Sequence, residues 1–282
     1  MHVKFTKMHG LGNDFIIIDN RENVLKDVDL KEFVQKVCQR RFSIGADGLI
    51  LLEASEHADY KMRIFNADGS EPEMCGNGIR CLAAFIFVLE QGKRDIISID
   101  TKAGVILPSI IVEDGKIKSV EVDMGEPILD GKKIPTTIDK KQVINEKIAV
   151  EENNFNFTAV SIGNPHAVIF SKDVEQFPVE TIGPLVECHS FFPKKANVEF
   201  VQVNSKGDIT IRVWERGVGE TMACGTGACA AVVACVLNVK TDKAVVVHLP
   251  GGDLSVEWLE ENGHIILRGP VEPVYTGEIA VL

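Results

Sequence analysis

The sequence predicts an α+β protein of two pseudo-symmetric domains, each a barrel-like sheet curled around one central buried helix. Three observations predict it: a repeat at about half the chain length, strands that precede one helix in each half, and helices that are apolar all round. The segment Arg63-Ile-Phe-Asn-Ala-Asp-Gly-Ser-Glu-Pro-Glu-Met-Cys75-Gly-Asn-Gly lies over Arg212-Val-Trp-Glu-Arg-Gly-Val-Gly-Glu-Thr-Met-Ala-Cys224-Gly-Thr-Gly without a gap. The offset is 149, and Arg, Glu71 over Glu220, the cysteine and both following glycines coincide. Gly12-Asn13 over Gly163-Asn164 and Asp47 near Asn197 continue the register at offsets of 151 and 150. Three matched segments in one order imply duplicated halves.

Along the first half, residues 15–19, 49–53 and 61–65 are short aliphatic or β-branched runs bounded by Gly, Asn and Asp, and so read as strands. Residues 77–89 then read as a helix closed by Gly92. Its apolar residues cover the whole circumference, as do those of the second-half helix, 227–237. A helix without a polar face is buried on all sides. In a strand-rich chain this means a sheet wrapped around a helix, once per half. Gly125-Glu-Pro127 and Gly269-Pro270 are turn signals that bound the second half. The expected domains are 1–124 with 271–282, the tail returning as a strand, and 125–270.

Of the 282 residues, 45% are hydrophobic and 25% charged, which is the profile of a folded globular chain. The formal net charge of −11 argues against a nucleic-acid or anionic-membrane partner, since both need a basic footprint. The longest apolar stretch, 228–237, falls well short of the ~18 residues that span a bilayer. Met1-His-Val-Lys-Phe-Thr-Lys has no signal-peptide character, so a cytoplasmic location with free thiols is expected. Seven cysteines without a Cys-x-x-Cys pattern make a zinc ribbon or thioredoxin-type site an unsuitable reading. No metal or nucleotide motif occurs.

Cys229 and Cys235 inside an apolar helix read as core residues, as do Cys81 and Cys38; Cys188 has no assigned role. Cys75 and Cys224 differ, because each stands before Gly-x-Gly at the start of its half's helix. A helix N-terminus offers backbone N–H groups and partial positive charge, which favour a thiolate and can hold a carboxylate. Both thiols are therefore expected to ionise more easily than an ordinary cysteine. Halves packed face to face would set one cysteine on each side of a ligand. Such a pair suits inversion of a stereocentre, one thiolate removing a proton and the other thiol returning one.

These residues resemble the diaminopimelate epimerase family over essentially the full chain. The resemblance rests on Met8-His-Gly-Leu-Gly-Asn13-Asp-Phe, Phe65-Asn66-Ala-Asp-Gly-Ser-Glu-Pro-Glu-Met-Cys75-Gly-Asn77-Gly-Ile-Arg-Cys81, Gly163-Asn164-Pro-His166, Asn197-Val-Glu-Phe, Glu215-Arg216-Gly and Ala223-Cys224-Gly-Thr226-Gly. It implies a cofactor-independent enzyme that converts LL-diaminopimelate to the meso form in lysine and peptidoglycan precursor synthesis. It also implies a homodimer and the two-domain fold described above. Cys75 is then the base toward the LL isomer and Cys224 the acid. Backbone amides around Gly76-Asn77 and Gly225-Thr226 hold the reacting carboxylate, while Asn13, Asn66, Asn164, Asn197, Glu215 and Arg216 line the remainder. His166 and Glu215 tune the thiols. The chain departs from the family at Gly48, where many members carry a substrate-contacting Gln.

Two other readings compete. A proline or hydroxyproline racemase shares the paired-cysteine design, but its substrate has no charged far end for the Asn66, Asn164, Asn197 and Arg216 set. A non-catalytic thiol protein would use Cys75 and Cys224 as a regulatory disulfide.

Overall fold

The computed structural model describes residues 2–281; Met1 and Leu282, the outer ends of the expected first domain, lie outside the described residues. The chain divides into two compact units, one running up to Val122 and resuming at Gly269, the other Asp123–Arg268.

The first unit contains β1 (His2–Gly10), β2 (Asn13–Asp19), α1 (Leu30–Val37), β3 (Gly48–Glu53), β4 (Tyr60–Asn66), α2 (Gly76–Leu89), β5 (Ile99–Thr101) and β6 (Gly104–Ile106). A hairpin follows, β7 (Ser109–Glu113) with β8 (Lys116–Asp123). The last strand of the chain, β18 (Glu272–Ala280), pairs antiparallel with β1, so the sheet runs β18-β1-β2-β3-β4-β5-β6.

The second unit repeats this order with β9 (Glu146–Val150), β10 (Asn153–Ser161), β11 (Pro165–Phe170), α3 (Val179–Glu187), β12 (Asn197–Ser205), β13 (Asp208–Glu215), β14 (Gly219–Thr221), α4 (Gly225–Leu237), β15 (Ala244–Leu249), β16 (Gly252–Trp258) and β17 (Ile265–Gly269). Its sheet runs β9-β10-β11-β12-β13-β15-β16-β17, with β14 paired to β13. Pair directions match strand for strand. The β2–β3 and β11–β12 pairs are parallel, β3–β4 and β12–β13 antiparallel, β4–β5 and β13–β15 parallel. The register sets Phe15 opposite Gly48 and His166 opposite Asn197, so Gly48 rather than Asp47 is the counterpart of Asn197.

Each sheet wraps one helix. Helix α4 packs on β10, β11, β12, β13, β15 and β16, and α2 on β1, β2, β3, β4 and β7. Ala228 through Cys235 are buried without exception. Each such Val contributes about 1.5–3 kcal/mol by leaving water. Helix α2 departs from burial on every side, because Val88 is 67% exposed and Leu89 42%. The chain leaves this helix through Gln91 and Gly92, both at positive φ, with the Gly92 N–H returning to Phe87 O.

One helix per half was expected, and each half has two. Helices α1 and α3 begin 149 residues apart and cover the outer face of their sheets. Phe33, Val34 and Val37 of α1 join Ile16, Ile18, Leu49 and Leu51 in one core cluster. On the other face, Ile50, Met62 and Ile64 lie against Gly78 of α2. Strands β2 and β3 are thus buried on both faces, which is why their sequences run apolar without alternation. Asp29 caps α1 by accepting the Glu32 N–H at 3.1 Å. Helix α3 lacks a side-chain cap and carries Pro184 in its interior, so its sequence gives a weak helix signal.

Candidate active site

Cys75 is the N-cap of α2 and Cys224 the N-cap of α4, both extended in backbone, and each sulfur accepts a backbone N–H at 3.4 Å, from Gly78 and Gly227. Gly76, Asn77, Gly225 and Thr226 form the first helical turns, whose N–H groups have no helical carbonyl to bind. Glycine at 78 and 227 lets a strand side chain approach the turn. A Cβ on Gly78 would lie 3.0 Å from Ile64 Cδ1, and one on Gly227 2.8 Å from Glu199 Oε1.

Around Cys75 the polar groups form a chain. The thiol donates to Asn13 Oδ1 at 3.9 Å, and Asn77 Nδ2 donates to the same oxygen at 3.1 Å. Asn13 Nδ2 donates to Asp47 Oδ2 at 2.9 Å, and Arg40 bridges Asp47 and Asp14 at 2.8 and 2.7 Å. Lys7 pairs with Asp14 at 2.8 Å and donates to Gly45 O. Burial alone would raise the Asp14 carboxyl, but Arg40 and Lys7 hold it below the ordinary carboxylate range. Buried Arg80 donates to Asn77 Oδ1 at 3.0 Å and to Gly76 O at 3.1 Å, fixing the first turn.

Around Cys224 the same frame holds other groups. Thr226 Oγ1 lies 3.5 Å from the sulfur and accepts from Asn164 Nδ2 at 3.4 Å. Asn164 Oδ1 faces His166 Nε2 at 2.9 Å, and His166 Nδ1 faces Glu199 Oε1 at 2.7 Å. His166 and Glu199 are both fully buried. Glu215 accepts the Thr221 hydroxyl at 2.6 Å and also receives a hydrogen bond from Cys224. Burial pushes the Glu199 and Glu215 carboxyls up, with His166 acting in the opposite sense on both.

The expected ease of ionisation fails at Cys224. Its thiol is raised well above the ordinary value, first by burial, then by the Glu215 and Glu199 carboxylates; Thr226 and the Gly227 N–H oppose this only in part. Desolvation outweighs the helix end.

The structure gathers Asn13 and Asn77 with Cys75, and Asn164, His166, Glu215 and Thr226 with Cys224. Asn197 serves the adjacent turn, its Oδ1 accepting the Arg216 N–H at 2.8 Å and its Nδ2 donating to Pro165 O at 3.3 Å. Arg216 is exposed, with Nη1 on Lys194 O at 3.1 Å. Asn66, at the end of β4, donates to Ser70 Oγ at 2.9 Å. At Gly48 a Cβ would meet Phe65 O at 2.4 Å, so the strand leaves no room for the side chain whose absence the sequence had singled out. Sequence reasoning missed Arg40, Glu199 and Thr221. The available signal was Glu199 itself, an acid between Val198 and Phe200 in a strand. Among the described residues no three His, Cys, Asp or Glu side chains converge on a possible metal position, and no helix is long and apolar enough to cross a membrane.

The duplicated frame has known counterparts. A crystal structure of a hydroxyproline epimerase from Agrobacterium vitis with bound trans-4-hydroxy-L-proline superposes with a TM-score of 0.71, covering 99% of this chain and 91% of that one at 13% identity. A phenazine biosynthesis protein from Bacillus anthracis gives 0.72 over 100% of both chains at 16% identity. These likenesses concern the fold. In sequence, the chain is 51% identical to a diaminopimelate epimerase from Pelotomaculum thermopropionicum over 97% of its length and 98% of the relative's. It is 49% identical to one from Methanococcus maripaludis over 99% and 100%. The diaminopimelate epimerase family model matches residues 5–129 and 158–274, segments that carry both capping cysteines and every polar residue described around them. The chain is an isomerase that belongs to the diaminopimelate epimerase family.

Proposed function

We propose that the protein converts LL-2,6-diaminopimelate to the meso isomer without pyridoxal or metal, Cys75 acting as base and Cys224 as acid, with the roles exchanged in reverse. The carrying observation is that two cysteines cap equivalent helices in unequal surroundings, within segments 5–129 and 158–274 that match the family.

The Cys75 thiolate takes the α-proton, and the C–H electron pair passes into the neighbouring carboxylate as enediolate-like charge. Cys224 gives its S–H proton to the opposite face of that carbon. Cys75 is left as thiol and Cys224 as thiolate, and proton exchange with solvent restores the starting state. First-turn N–H groups at Gly76, Asn77, Gly225 and Thr226 offset the developing charge. A buried thiol beside two carboxylates suits the acid role, because it keeps its proton until a carbanion calls for it. Glu215 and His166 tune the thiols.

Diaminopimelate carries an ammonium and a carboxylate at each end. Arg216 can grip the distal carboxylate in a bidentate fork, and Glu215 can pair with an ammonium. Asn13, Asn66, Asn164 and Asn197 supply donors and acceptors, Asn197 through the turn it anchors. The same reading makes the protein a cytoplasmic homodimer in lysine and peptidoglycan precursor synthesis.

Turnover of LL-diaminopimelate and of L-proline by the wild type, Cys75→Ser and Cys224→Ser tests the assignment. Activity on diaminopimelate that disappears in both variants is expected. Activity on L-proline alone, or near-wild-type epimerisation by both variants, rejects it.

A further inference from the structure

Superposing the halves by their 149-residue offset exposes a substitution beneath the second helix. Glu199 of β12 occupies the position of Ile50 in β3, and each side chain abuts the first-turn glycine of its own helix, Gly227 or Gly78. His166 likewise occupies the position of Phe15, since each stands opposite the counterpart residues Asn197 and Gly48. The first half thus has two hydrocarbon side chains where the second has a buried imidazole and carboxyl 2.7 Å apart. Burying such a pair costs free energy that Phe and Ile do not cost. Packing therefore does not account for it.

The pair is wired to the sulfur. Asn164 donates through Nδ2 to Thr226, so its Oδ1 faces His166 Nε2, which must carry a proton to donate. Glu199 Oε1 faces Nδ1, where one shared proton completes the line. Thr226, having accepted from Asn164, has its own hydroxyl proton to direct at Cys224. Among the described residues Glu199 Oε2 finds no hydrogen-bond partner. In the first half Asn13 is anchored instead by Asp47 and Arg40.

We propose that Glu199 is a positioning residue for the reaction: through His166, Asn164 and Thr226 it orients Cys224, and from beneath the first turn of α4 its carboxylate keeps that thiol a proton donor. It acts through other residues and touches no substrate. The groups acting on Cys224 are Glu199 on β12, Glu215 on β13 and Thr226 on α4 itself, while His166 on β11 acts on both carboxyls. The sequence difference between the two cysteines' surroundings thus extends from Glu215 at the sulfur to Glu199 in the strand beneath the turn. This deepens the two-base reading and rests on it for its catalytic meaning.

The test is a pH titration of the intact protein labelled with 13Cβ-cysteine, with Cys224 assigned by comparison with Cys224→Ser. It compares the wild type with Glu199→Gln and with His166→Phe/Glu199→Ile, which copies the first half's own packing. Removing the carboxylate should lower the Cys224 midpoint by about one pH unit, a tenfold gain in thiol acidity. A role in folding alone would leave that midpoint in place. A midpoint that stays or rises in either variant that folds overturns the proposal, and the double variant keeps the test open if the glutamine variant does not fold. The titration needs no turnover, so a failure of the diaminopimelate assignment in the assay above would be seen separately.

Discussion

Helices α2 and α4 start from the same cap, a cysteine whose sulfur takes a backbone N–H from the glycine three residues on, yet their surroundings have diverged. Beneath α2 stand Phe15 and Ile50, and at the end of β4 stands Asn66. The corresponding residues of the second half are His166, by strand register, and Glu199 and Glu215, by the 149-residue offset. Duplication supplied the position of two sulfurs, and divergence supplied unequal surroundings for them.

The comparison breaks most directly at the sulfurs. Cys75→Ser and Cys224→Ser should each lower kcat by ~10²–10⁴, the range of a general acid or base, with binding of the substrate retained. A variant that keeps its rate would remove its cysteine from the chemistry. Next in size is the pH dependence. Cys224 is raised above the ordinary thiol range by burial and its two carboxylates, so the active form with one proton on the pair persists to alkaline pH. Beyond the Cys224 ionisation kcat/KM should fall about tenfold per pH unit. The limb must coincide for LL and meso substrates, because the two active forms hold the same number of protons. An alkaline limb at or below the ordinary thiol value would contradict the raised thiol.

Smaller effects sharpen the contrast between the helix turns. Gly227→Ala drives a methyl to 2.8 Å from Glu199 Oε1, whereas Gly78→Ala meets the methyl ends of Ile64, Ile50 and Met62 at 3.0–3.3 Å. Both overpack, at about 1–3 kcal/mol, and Gly227→Ala should also depress kcat; denaturant unfolding and turnover measured on both variants check this. A pair of repeated ion pairs acts on stability at a similar or smaller scale. Arg63 binds Glu71 and Arg212 binds Glu220 through Nε at 2.9 and 2.6 Å. Arg212 Nη1 also donates to the carbonyls of Val174, Glu175 and Phe177. Arg212→Met should therefore cost roughly 1–3 kcal/mol of unfolding free energy and Arg63→Met less than 1.

What the sequence made legible was whatever the repeat or the apolar period touches. The central helices, the strands at 15–19, 49–53 and 61–65, and the two cysteines at helix starts were readable because spacing and glycine placement carry them. Helices α1 and α3 were not. Each has about two turns, and α3 contains a proline and lacks a polar cap, so neither announces itself. The presence of α1 was implied indirectly by Ile16-Ile17-Ile18 and Leu49-Ile50-Leu51-Leu52, runs that demand cover on both faces. The ionisation of Cys224 was misjudged for a different reason. A helix end is visible in sequence, while the burial that outweighs it depends on β12 and β13 passing beneath, which is tertiary.

Under the proposed two-base mechanism, two different groups handle the proton. LL-diaminopimelate should be supplied to purified enzyme in D2O without added cofactor, and the reaction stopped within the first tenth of conversion. The account predicts one solvent deuterium at the inverted α-carbon of the meso product and none in the recovered LL substrate. Deuterium entering recovered substrate as fast as product, the mark of a single base serving both faces, would contradict it.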